Sequence, residues 1–443
     1  MHDRYAELHA QWRWEVPADF NIASACCRRW AGETERIALY WEDEDGATAT
    51  WTYAAMQAAA NRLSNALAAA GLRPGDCVAI ILPQRAETAI AHIACYQMGA
   101  MALPLSFLFG PEALEYRLAN AAARVAIVDA ASWPNLLALR ERLPQLGTVL
   151  GVAGLAAPGV TPWEEFLAAH SARFEPLPSA ATDPAVLIYT SGTTGPPKGA
   201  VMPQQALVGN LPGFIYSHDL FPQPGDFFWL PADWAWTGGL MDALLPALYF
   251  GVPILGYRGR FDAEKAFQLL QKYAVRNTFL FPTALKLMMK AVPRPRERFD
   301  LKLRSIMSAG EAVGSTVFEW SQRELGVTIN EMFGQTEMNY IVGNSHTLWP
   351  AHAGSMGKAY PGHRIALIDE AGAEVPQGEV GEIAVNRYGS DDRLDPVFFL
   401  GYHLNPEATG KKFSGDWCRT GDLAKADAQG YLWYQGRADD MFK

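Results

Sequence analysis

A glycine- and hydroxyl-rich segment with one lysine stands out in the first half of the chain. It reads Tyr-Thr-Ser-Gly-Thr-Thr-Gly-Pro-Pro-Lys-Gly over residues 189–199 and follows the apolar run 185–188. Its glycines let the backbone approach a ligand closely, and Lys198 adds a cation suited to phosphate oxygens. The hydroxyls and glycines of the turn are Thr190, Ser191, Gly192, Thr193, Thr194 and Gly195. Ordinary turns of this composition are common after strands, yet hydroxyls, free amides and a cation together are what a polyphosphate requires.

The segment is not the phosphate-binding loop of nucleoside triphosphatases, which requires GxxxxGK[ST]. Here Lys198 follows a proline, and Gly199 stands where a serine or threonine is needed. The segment instead resembles, almost letter for letter, the [ST]-S-G-[ST]-[ST]-G-x-P-K-G signature of the adenylate-forming superfamily. That superfamily includes acyl-CoA synthetases, firefly luciferase and the adenylation domains of peptide synthetases, and the resemblance covers residues 51–443.

Two further segments resemble motifs of this superfamily and occur in the family's order. Ser-Ala-Gly-Glu-Ala at 308–312 resembles the segment whose backbone flanks adenine, and Asn-Glu-Met-Phe-Gly-Gln-Thr-Glu at 330–337 resembles Y-G-x-T-E. Phe333 replaces the frequent tyrosine and keeps an aromatic face for a purine. The resemblance implies nucleotide binding by Gly310, Glu311, Ala312, Glu331, Met332, Phe333, Gly334, Gln335 and Thr336.

The same resemblance implies which residues take part in the chemistry. Lys198, Thr336 and Glu337 would form the catalytic group, with Glu337 as a ligand of Mg²⁺, an ion that prefers carboxylate and phosphate oxygens. Arg-Thr-Gly-Asp at 419–422 resembles the segment whose aspartate, here Asp422, accepts hydrogen bonds from the ribose hydroxyls. A carboxylate presents two oxygens to such a vicinal diol.

The end of the chain resembles the hinge segment of the family. Gly-Arg-Ala-Asp-Asp occupies 436–440, so Arg437 would contact ribose or phosphate and Asp439 would be the pivot, with a simple turn acid as the alternative for Asp439. We predict an N-terminal AMP-binding domain over 1–436, a hinge over 437–443 and no C-terminal domain. Because the family's C-terminal lysine would lie beyond Lys443, we expect this chain to bind ATP and acid yet to adenylate poorly.

The best candidate for the acid pocket is Pro-Ala-Asp-Trp-Ala-Trp-Thr-Gly-Gly at 231–239. It resembles a D-x-G-W segment of related acyl-CoA synthetases, in which the aromatic residue lines the acid site. The predicted pocket residues are Trp234, Trp236 and Gly238. The alternative is that both tryptophans only pack in the core. Asp233 is the one obvious anchor for an amino-acid substrate.

The pattern of apolar residues predicts an α/β fold. From about 50 to 335, β-rich runs alternate with helical patterns, which indicates βαβ units and two subdomains with mainly parallel sheets. From about 355 to 436, closely spaced short strands predict a small antiparallel β subdomain. The resemblance implies the large N-terminal domain of the acyl-CoA synthetase fold. Predicted strands are 77–82, 125–129, 186–190, 227–230, 277–281, 364–369, 380–386, 423–427 and 431–434; predicted helices are 86–98, 112–122, 263–273 and 314–325.

Composition and charge exclude several classes of function. A formal net charge of −10 over 443 residues disfavours nonspecific binding to nucleic acid or anionic membranes. The five scattered cysteines form no metal-ligand spacing and are typical of reduced thiols. Residues 1–20 do not resemble a secretory signal, and the most apolar run, 238–256, predicts a buried helix and strand instead of a membrane span. We therefore predict a cytoplasmic protein without stable membrane insertion, with a homo-oligomer as an open alternative to a monomer.

Together the motifs predict an ATP-dependent, AMP-forming acyl-CoA synthetase that uses ATP, Mg²⁺ and coenzyme A. It would convert a medium-chain, branched or aromatic carboxylic acid to acyl-AMP and then transfer the acyl group to CoA. One alternative is an adenylation domain that loads an amino acid or aryl acid onto a carrier protein. The others are a luciferase-type oxidase and a non-catalytic nucleotide- or acyl-binding module.

Overall fold

The computed structural model describes residues 3–190 and 195–438, which form three β-sheets flanked by helices. The strands are β1 (Ile37–Asp43), β2 (Thr48–Thr52), β3 (Cys77–Ile81), β4 (Met101–Pro104), β5 (Val125–Val128), β6 (Thr148–Gly151), β7 (Thr161–Pro162), β8 (Pro184–Thr190), β9 (Lys198–Pro203), β10 (Phe228–Trp229), β11 (Ile254–Arg258), β12 (Asn277–Phe279), β13 (Ser305–Ser308), β14 (Ile329–Phe333), β15 (Val342–Gly343), β16 (Lys358–Ala359), β17 (Ile365–Ile368), β18 (Val380–Asn386), β19 (Gly401–Tyr402), β20 (Phe413–Ser414), β21 (Trp417–Ala426) and β22 (Leu432–Arg437).

The helices alternate with these strands along most of the chain. They are α1 (Tyr5–Gln11), α2 (Ile22–Cys26), α3 (Tyr53–Ala69), α4 (Ala86–Gln97), α5 (Pro111–Asn120), α6 (Trp133–Leu137), α7 (Trp163–Ala168), α8 (Ala206–Ser217), α9 (Thr237–Gly239), α10 (Leu245–Tyr249), α11 (Ala263–Lys272), α12 (Pro282–Ala291), α13 (Ser315–Trp320) and α14 (Pro406–Lys411). A π-helical turn, Leu240–Leu244, joins α9 to α10, and another, Ser321–Leu325, extends α13.

Two of the sheets are mainly parallel. The eight-stranded sheet has the order β19-β9-β8-β4-β3-β5-β6-β7, and only β9 and β19 are antiparallel to their neighbours. The nine-stranded sheet has the order β16-β15-β14-β13-β12-β10-β11-β1-β2, and its strands from β14 to β1 are parallel. In the third sheet β17, β18, β21, β20 and β22 are all antiparallel. The predicted α/β fold class is confirmed.

Both faces of the parallel sheets are buried, as expected when helices cover each side. Along β3, Val78 and Ile80 belong to the largest apolar cluster, whereas Ala79 and Ile81 belong to a separate cluster on the opposite face. The largest cluster takes residues from both parallel sheets and from α3, α4, α8 and α10. It therefore joins the two large sheets through a shared layer of helices.

Several predicted elements differ from the observed ones. Within the predicted strand 227–230, only Phe228–Trp229 pairs with neighbouring strands. The predicted strand 423–427 overlaps the end of the longer β21. The sequence pattern predicts no strand or helix before residue 50. In the structure, β1 lies in this part of the chain, pairs in parallel with β11 and extends the nine-stranded sheet. Pairing between strands so far apart in sequence leaves no local pattern that could have predicted it. No helix in the described ranges is long and apolar enough to cross a membrane.

A buried ion cluster holds together the amino ends of three parallel strands. Asp226, Arg276 and Arg304 each precede a strand, namely β10, β12 and β13. The Asp226 carboxylate is fully buried; its Oδ2 lies 2.6 Å from Arg304 Nη2, and its Oδ1 lies 3.3 Å from Arg276 Nε. Removing one partner of such a cluster leaves uncompensated buried charge, which costs about 3–5 kcal/mol.

We therefore expect Asp226→Ala to lower the free energy of unfolding by about 3–5 kcal/mol, measured by urea denaturation. The matched control is Asp300→Ala, which removes an exposed pair with Lys302 at 2.8 Å. That change should alter the free energy of unfolding by about 1 kcal/mol or less. Equal losses in the two variants would contradict a structural role for the buried cluster.

Candidate active site

A cavity of about 690 Å³ opens at the carboxyl ends of four neighbouring strands, β10, β12, β13 and β14. Ligand sites in open parallel sheets occur at this edge, because the loops that leave the strands converge there. The lining residues are Thr237, Gly238, Asp242, Phe279, Phe281, Ala309, Gly310, Glu311, Ala312, Glu331, Met332, Phe333, Gly334, Gln335, Thr336, Asn339, Gly354, Met356, Asp422 and Tyr434. Eleven residues selected from the sequence, namely Gly238, Gly310, Glu311, Ala312, Glu331, Met332, Phe333, Gly334, Gln335, Thr336 and Asp422, are among them.

The chain turns sharply after β14, and Gly334 is required for that turn. A Cβ atom on Gly334 would lie 1.4 Å from the carbonyl oxygen of Asn339, so no other residue fits without moving the backbone. The turn brings Phe333, Gln335 and Thr336 to the cavity wall in sequence. Contiguous motif residues therefore share one wall.

Glu331 links two loops on opposite sides of the cavity opening. Its carboxylate accepts hydrogen bonds from the backbone N–H of Val313 at 3.2 Å and of Gly354 at 3.3 Å. Burial raises the pKa of Glu331, and the two N–H donors act in the opposite direction. Glu331 thus holds the exposed 310–312 backbone at a defined distance from Phe333.

A path of polar contacts begins at Asp422 on β21. The Oδ2 atom of Asp422 accepts a hydrogen bond from Gln335 Nε2 at 2.7 Å and lies 3.2 Å from Arg437 Nη1. The other end of the Gln335 amide, Oε1, accepts a hydrogen bond from Lys412 Nζ at 3.0 Å. Lys412 Nζ in turn lies 3.9 Å from Glu337 Oε1. The amide of Gln335 is therefore oriented by a lysine on one side and an aspartate on the other.

The path continues from Glu337 to the glycine-rich loop. Glu337 Oε1 accepts a hydrogen bond from the hydroxyl of Tyr402, whose pKa is raised by burial and by the Glu337 carboxylate. Lys198 Nζ lies 4.9 Å from the centre of the Tyr402 ring. Tyr402 reaches this position because β19 pairs with β9, which Lys198 begins. Lys198 and Glu337 thus both contact Tyr402, one at its ring and the other at its hydroxyl.

The glycine-rich loop connects two antiparallel strands. Thr190 and Lys198 are paired across β8 and β9, and Gly195 has a φ of +95°, a conformation that favours glycine. Neither these residues nor Glu337 line the cavity itself. The predicted loop residues Ser191, Gly192, Thr193 and Thr194 and the predicted pivot Asp439 lie outside the described residues.

The structure does not bring the two predicted pocket tryptophans to the cavity. Trp234 is fully buried in the core, where its ring packs over Gly256 of β11. Trp236 is 42% exposed and lies edge-on to Phe109, with ring centroids 5.6 Å apart. Asp233 also lies outside the lining; it accepts a hydrogen bond from the N–H of Ala235, and burial raises its pKa to about 6.

The buried end of the cavity consists of Gly238, Asp242, Phe279 and Asn339. A Cβ atom on Gly238 would lie 3.1 Å from Phe279 Cε1 and 3.8 Å from Asp242 Oδ2, while Asn339 Nδ2 lies 2.5 Å from Asp242 Oδ1. Sequence reasoning identified only Gly238 here. Asp242 is an acidic residue within the apolar run 238–256, and that unusual position was the sequence feature that could have identified it. No motif marked Asn339, Lys412 or Tyr402.

The site offers one carboxylate that fits a magnesium ion, Glu337. In the described ranges no group of three or more His, Cys, Asp or Glu side chains is arranged to hold a metal. A magnesium ion that accompanies a nucleotide needs only one or two protein carboxylates, because phosphate oxygens and water complete its shell. The buried Glu337, close to Thr336 and to Lys198, suits that arrangement.

Comparison with known proteins identifies the family. The family model described as "AMP-binding enzyme" matches residues 27–390. The uncharacterized acyl-CoA ligase YtcI of Bacillus subtilis is 31% identical over 96% of this chain and 78% of its own length. The mitochondrial acyl-coenzyme A synthetase ACSM5 of Homo sapiens is 30% identical over 96% of this chain and 74% of its own length.

A solved structure has the same architecture. The crystal structure of an acyl-CoA synthetase from Brucella canis superposes with a TM-score of 0.90 at 31% identity, covering 99% of this chain and 80% of that one. The chain therefore belongs to the AMP-binding enzyme family, which confirms the prediction of an AMP-forming acid–CoA ligase with the fold of the acyl-CoA synthetases.

Proposed function

We propose that this protein activates a medium-chain, branched or aromatic carboxylic acid as its acyl-adenylate and then transfers the acyl group to CoA. ATP, Mg²⁺ and CoA follow from membership of the family. The observation that supports the proposal is that one cavity is lined both by Phe333, Thr336 and Asp422 and by the apolar Phe279 and Phe281. Such a cavity has room for a nucleotide and an acid side by side.

The nucleotide would be held at the exposed end of the cavity. The adenine would stack on Phe333 beside the backbone of 310–312, since aromatic faces bind purines well. Asp422 would accept hydrogen bonds from the ribose hydroxyls, and Arg437 lies next to it. The phosphates would then extend past Thr336 towards Lys198, which supplies a positive charge for their oxygens.

The reaction needs no nucleophile from the protein. An oxygen of the substrate carboxylate attacks the α-phosphorus of ATP, the new C–O–P bond forms, and the bond to pyrophosphate breaks. In the second step the CoA thiolate attacks the acyl carbon and AMP leaves. The protein contributes orientation and charge, as in other in-line transfers at phosphorus. The magnesium ion, when bound at Glu337, supplies charge neutralisation for the phosphates.

The amino-acid alternative loses its original anchor, because Asp233 does not line the cavity. Asp242, in contrast, does line the cavity. We also propose a cytoplasmic location, since all five cysteines are free and buried, as expected in a reducing compartment. A homo-oligomer remains a prediction.

The proposed function is tested by incubating the full-length protein with ATP, Mg²⁺, CoA and a panel of aromatic, branched and straight-chain acids. We expect formation of AMP, pyrophosphate and acyl-CoA, with higher kcat/KM for aromatic or branched acids than for acetate. Acetate as the preferred acid would contradict the proposed substrate class. Acid-dependent AMP formation with transfer to a carrier protein but not to CoA would contradict the acceptor.

Asp422→Asn should mainly weaken nucleotide binding, because a charged acceptor for the ribose and for Arg437 becomes neutral. Lost charge-assisted hydrogen bonds cost about 1.5–3 kcal/mol, or roughly tenfold or more in Kd for ATP measured by calorimetry. The control is Asp416→Asn, an exposed aspartate that precedes the same strand. Similar Kd values for wild type and Asp422→Asn would remove Asp422 from the site.

Lys412→Met should also weaken ATP binding, because Lys412 orients the Gln335 amide towards Asp422. We expect Kd for ATP to rise about tenfold, the effect of one hydrogen bond to a charged group. The adjacent Lys411, whose side chain is 74% exposed and pairs with Glu407, gives the matched control Lys411→Met. An equal effect of both changes would point to general charge attraction instead of orientation.

Glu337→Gln should raise the Mg²⁺ concentration needed for half-maximal turnover and lower kcat, because a neutral amide is a poor magnesium ligand. The loss of one such electrostatic contact typically lowers the rate by about 10²–10³. The measurement is the initial rate of pyrophosphate release against free Mg²⁺ at saturating ATP. A wild-type Mg²⁺ dependence in this variant would show that Glu337 is not the ligand.

A further inference from the structure

The buried end of the cavity carries a polar group that the reaction itself does not use. Asp242 is only 2% exposed, yet it lines the cavity beside Phe279 and Gly238. In the described part of the chain no lysine, arginine or histidine forms an ion pair with it. A buried carboxyl without a cationic partner is costly unless hydrogen bonds satisfy it.

Two asparagine side chains orient this carboxyl. The Oδ1 atom of Asp242 accepts hydrogen bonds from Asn339 Nδ2 at 2.5 Å and from Asn210 Nδ2 at 3.3 Å. Asn339 Nδ2 also donates to Asn210 Oδ1 at 2.7 Å, so the two amides are fixed relative to each other. Both donors meet Oδ1, which makes Oδ1 the acceptor atom of the group.

The second oxygen, Oδ2, faces the open space beside Gly238. It would lie 3.8 Å from a Cβ atom placed on Gly238, and that side chain is absent, so the space belongs to the cavity. Burial without a cationic partner raises the pKa of Asp242 to about 8, which favours the protonated carboxyl at neutral pH. Because Oδ1 accepts two hydrogen bonds, Oδ2 is the oxygen that would carry the proton and donate it towards the cavity.

An entirely apolar acid would leave this donor without a partner. A buried donor that loses its hydrogen bond lowers the affinity for such an acid by about tenfold or more. A site built to hydrogen-bond a substrate group therefore rejects analogues that lack the group far more strongly than it rejects small changes in size.

We propose that the acid substrate carries an oxygen acceptor, a hydroxyl or keto group, on its tail, and that this oxygen accepts a hydrogen bond from Asp242. The inference rests on the proposed function and narrows its substrate class from medium-chain, branched or aromatic acids to the oxygenated members of that class. Asp242 is a specificity-determining residue, while Asn210 and Asn339 are positioning residues that hold its carboxyl.

A cationic tail is the competing occupant. An ammonium group would require Asp242 to be ionised, and it would pair with the carboxylate in place of accepting a hydrogen bond. The two occupants differ in what they demand of residue 242. A neutral amide in its place keeps an N–H donor at the Oδ2 position but removes the negative charge that an ammonium group needs.

The experiment compares matched acids with full-length wild type, Asp242→Asn and Asp242→Leu. The acids are phenylacetate with its para-hydroxy and para-aminomethyl derivatives, and hexanoate with its hydroxy, oxo and ω-amino derivatives. The readouts are kcat/KM for acid-dependent AMP formation and the Kd of each acid measured by calorimetry. Thermal unfolding of each variant shows whether it is folded.

We expect wild type to prefer a hydroxy or oxo acid over its unsubstituted partner by about tenfold or more in kcat/KM. Asp242→Asn should keep that preference, whereas Asp242→Leu should lose it and gain activity on the unsubstituted acids. If the leucine variant does not fold, the aspartate and asparagine proteins still decide between a hydrogen-bonded oxygen and a paired ammonium.

Three results would overturn the inference. The first is a wild-type preference for the unsubstituted acids. The second is a wild-type preference for the amino-substituted acids that disappears in Asp242→Asn. The third is equal use of all members of a series. In each of them AMP would still form, so the proposed function would stand. AMP formation from none of the acids would instead overturn the proposed function, and the inference with it.

Discussion

The parallel arrangement of β10, β12, β13 and β14 is the constraint on which the site depends. Parallel strands end at the same edge of a sheet, so the four loops that follow them must meet there. Each loop then contributes one wall of the cavity. At the opposite edge, Arg276 and Arg304 bind Asp226 and hold the amino ends of three of these strands together. The buried ion cluster and the cavity therefore lie at opposite edges of the same sheet.

The eight-stranded sheet and the antiparallel sheet also contribute side chains to the candidate active site. The eight-stranded sheet provides Lys198 and Tyr402, and the antiparallel sheet provides Asp422 and Arg437. The side chains of Gln335, Lys412 and Glu337 connect these contributions through short contacts in a partly buried environment, where charge interactions are stronger than in water. A change at Asp422 is therefore expected to affect the orientation of Lys412 and Glu337, to which it is linked through Gln335. This is why we expect Lys412, which reaches both Gln335 and Glu337, to influence nucleotide binding.

The cavity combines a general function with a specific one. Its exposed end consists largely of backbone, one aromatic face and one aspartate, which suits a nucleotide common to all reactions of the family. Its buried end has apolar walls and a single oriented carboxyl, Asp242, held by Asn210 and Asn339. Apolar walls discriminate weakly between acids of similar size, whereas a buried hydrogen-bond donor discriminates strongly between acids with and without an acceptor. The choice of acid is therefore expected to depend on Asp242 more than on the volume of the cavity.

The sequence by itself determined the alternation of strands and helices, the family and most of the residues that line the cavity. Those features are local. The segments 310–312 and 332–336 are each contiguous in sequence and lie at strand ends. The periodicity of apolar residues that distinguishes strands from helices is likewise visible in short stretches of sequence. Tertiary structure alone decided the partners of those residues. Tyr402 is 65 residues from Glu337, and Asn339 is 97 residues from Asp242, so no window of sequence contains both members of either pair. Tertiary structure also decided that Trp234 packs in the core, whereas Gly238, four residues later, lines the cavity. Burial depends on which sheet a side chain meets, and that is set by packing between distant elements.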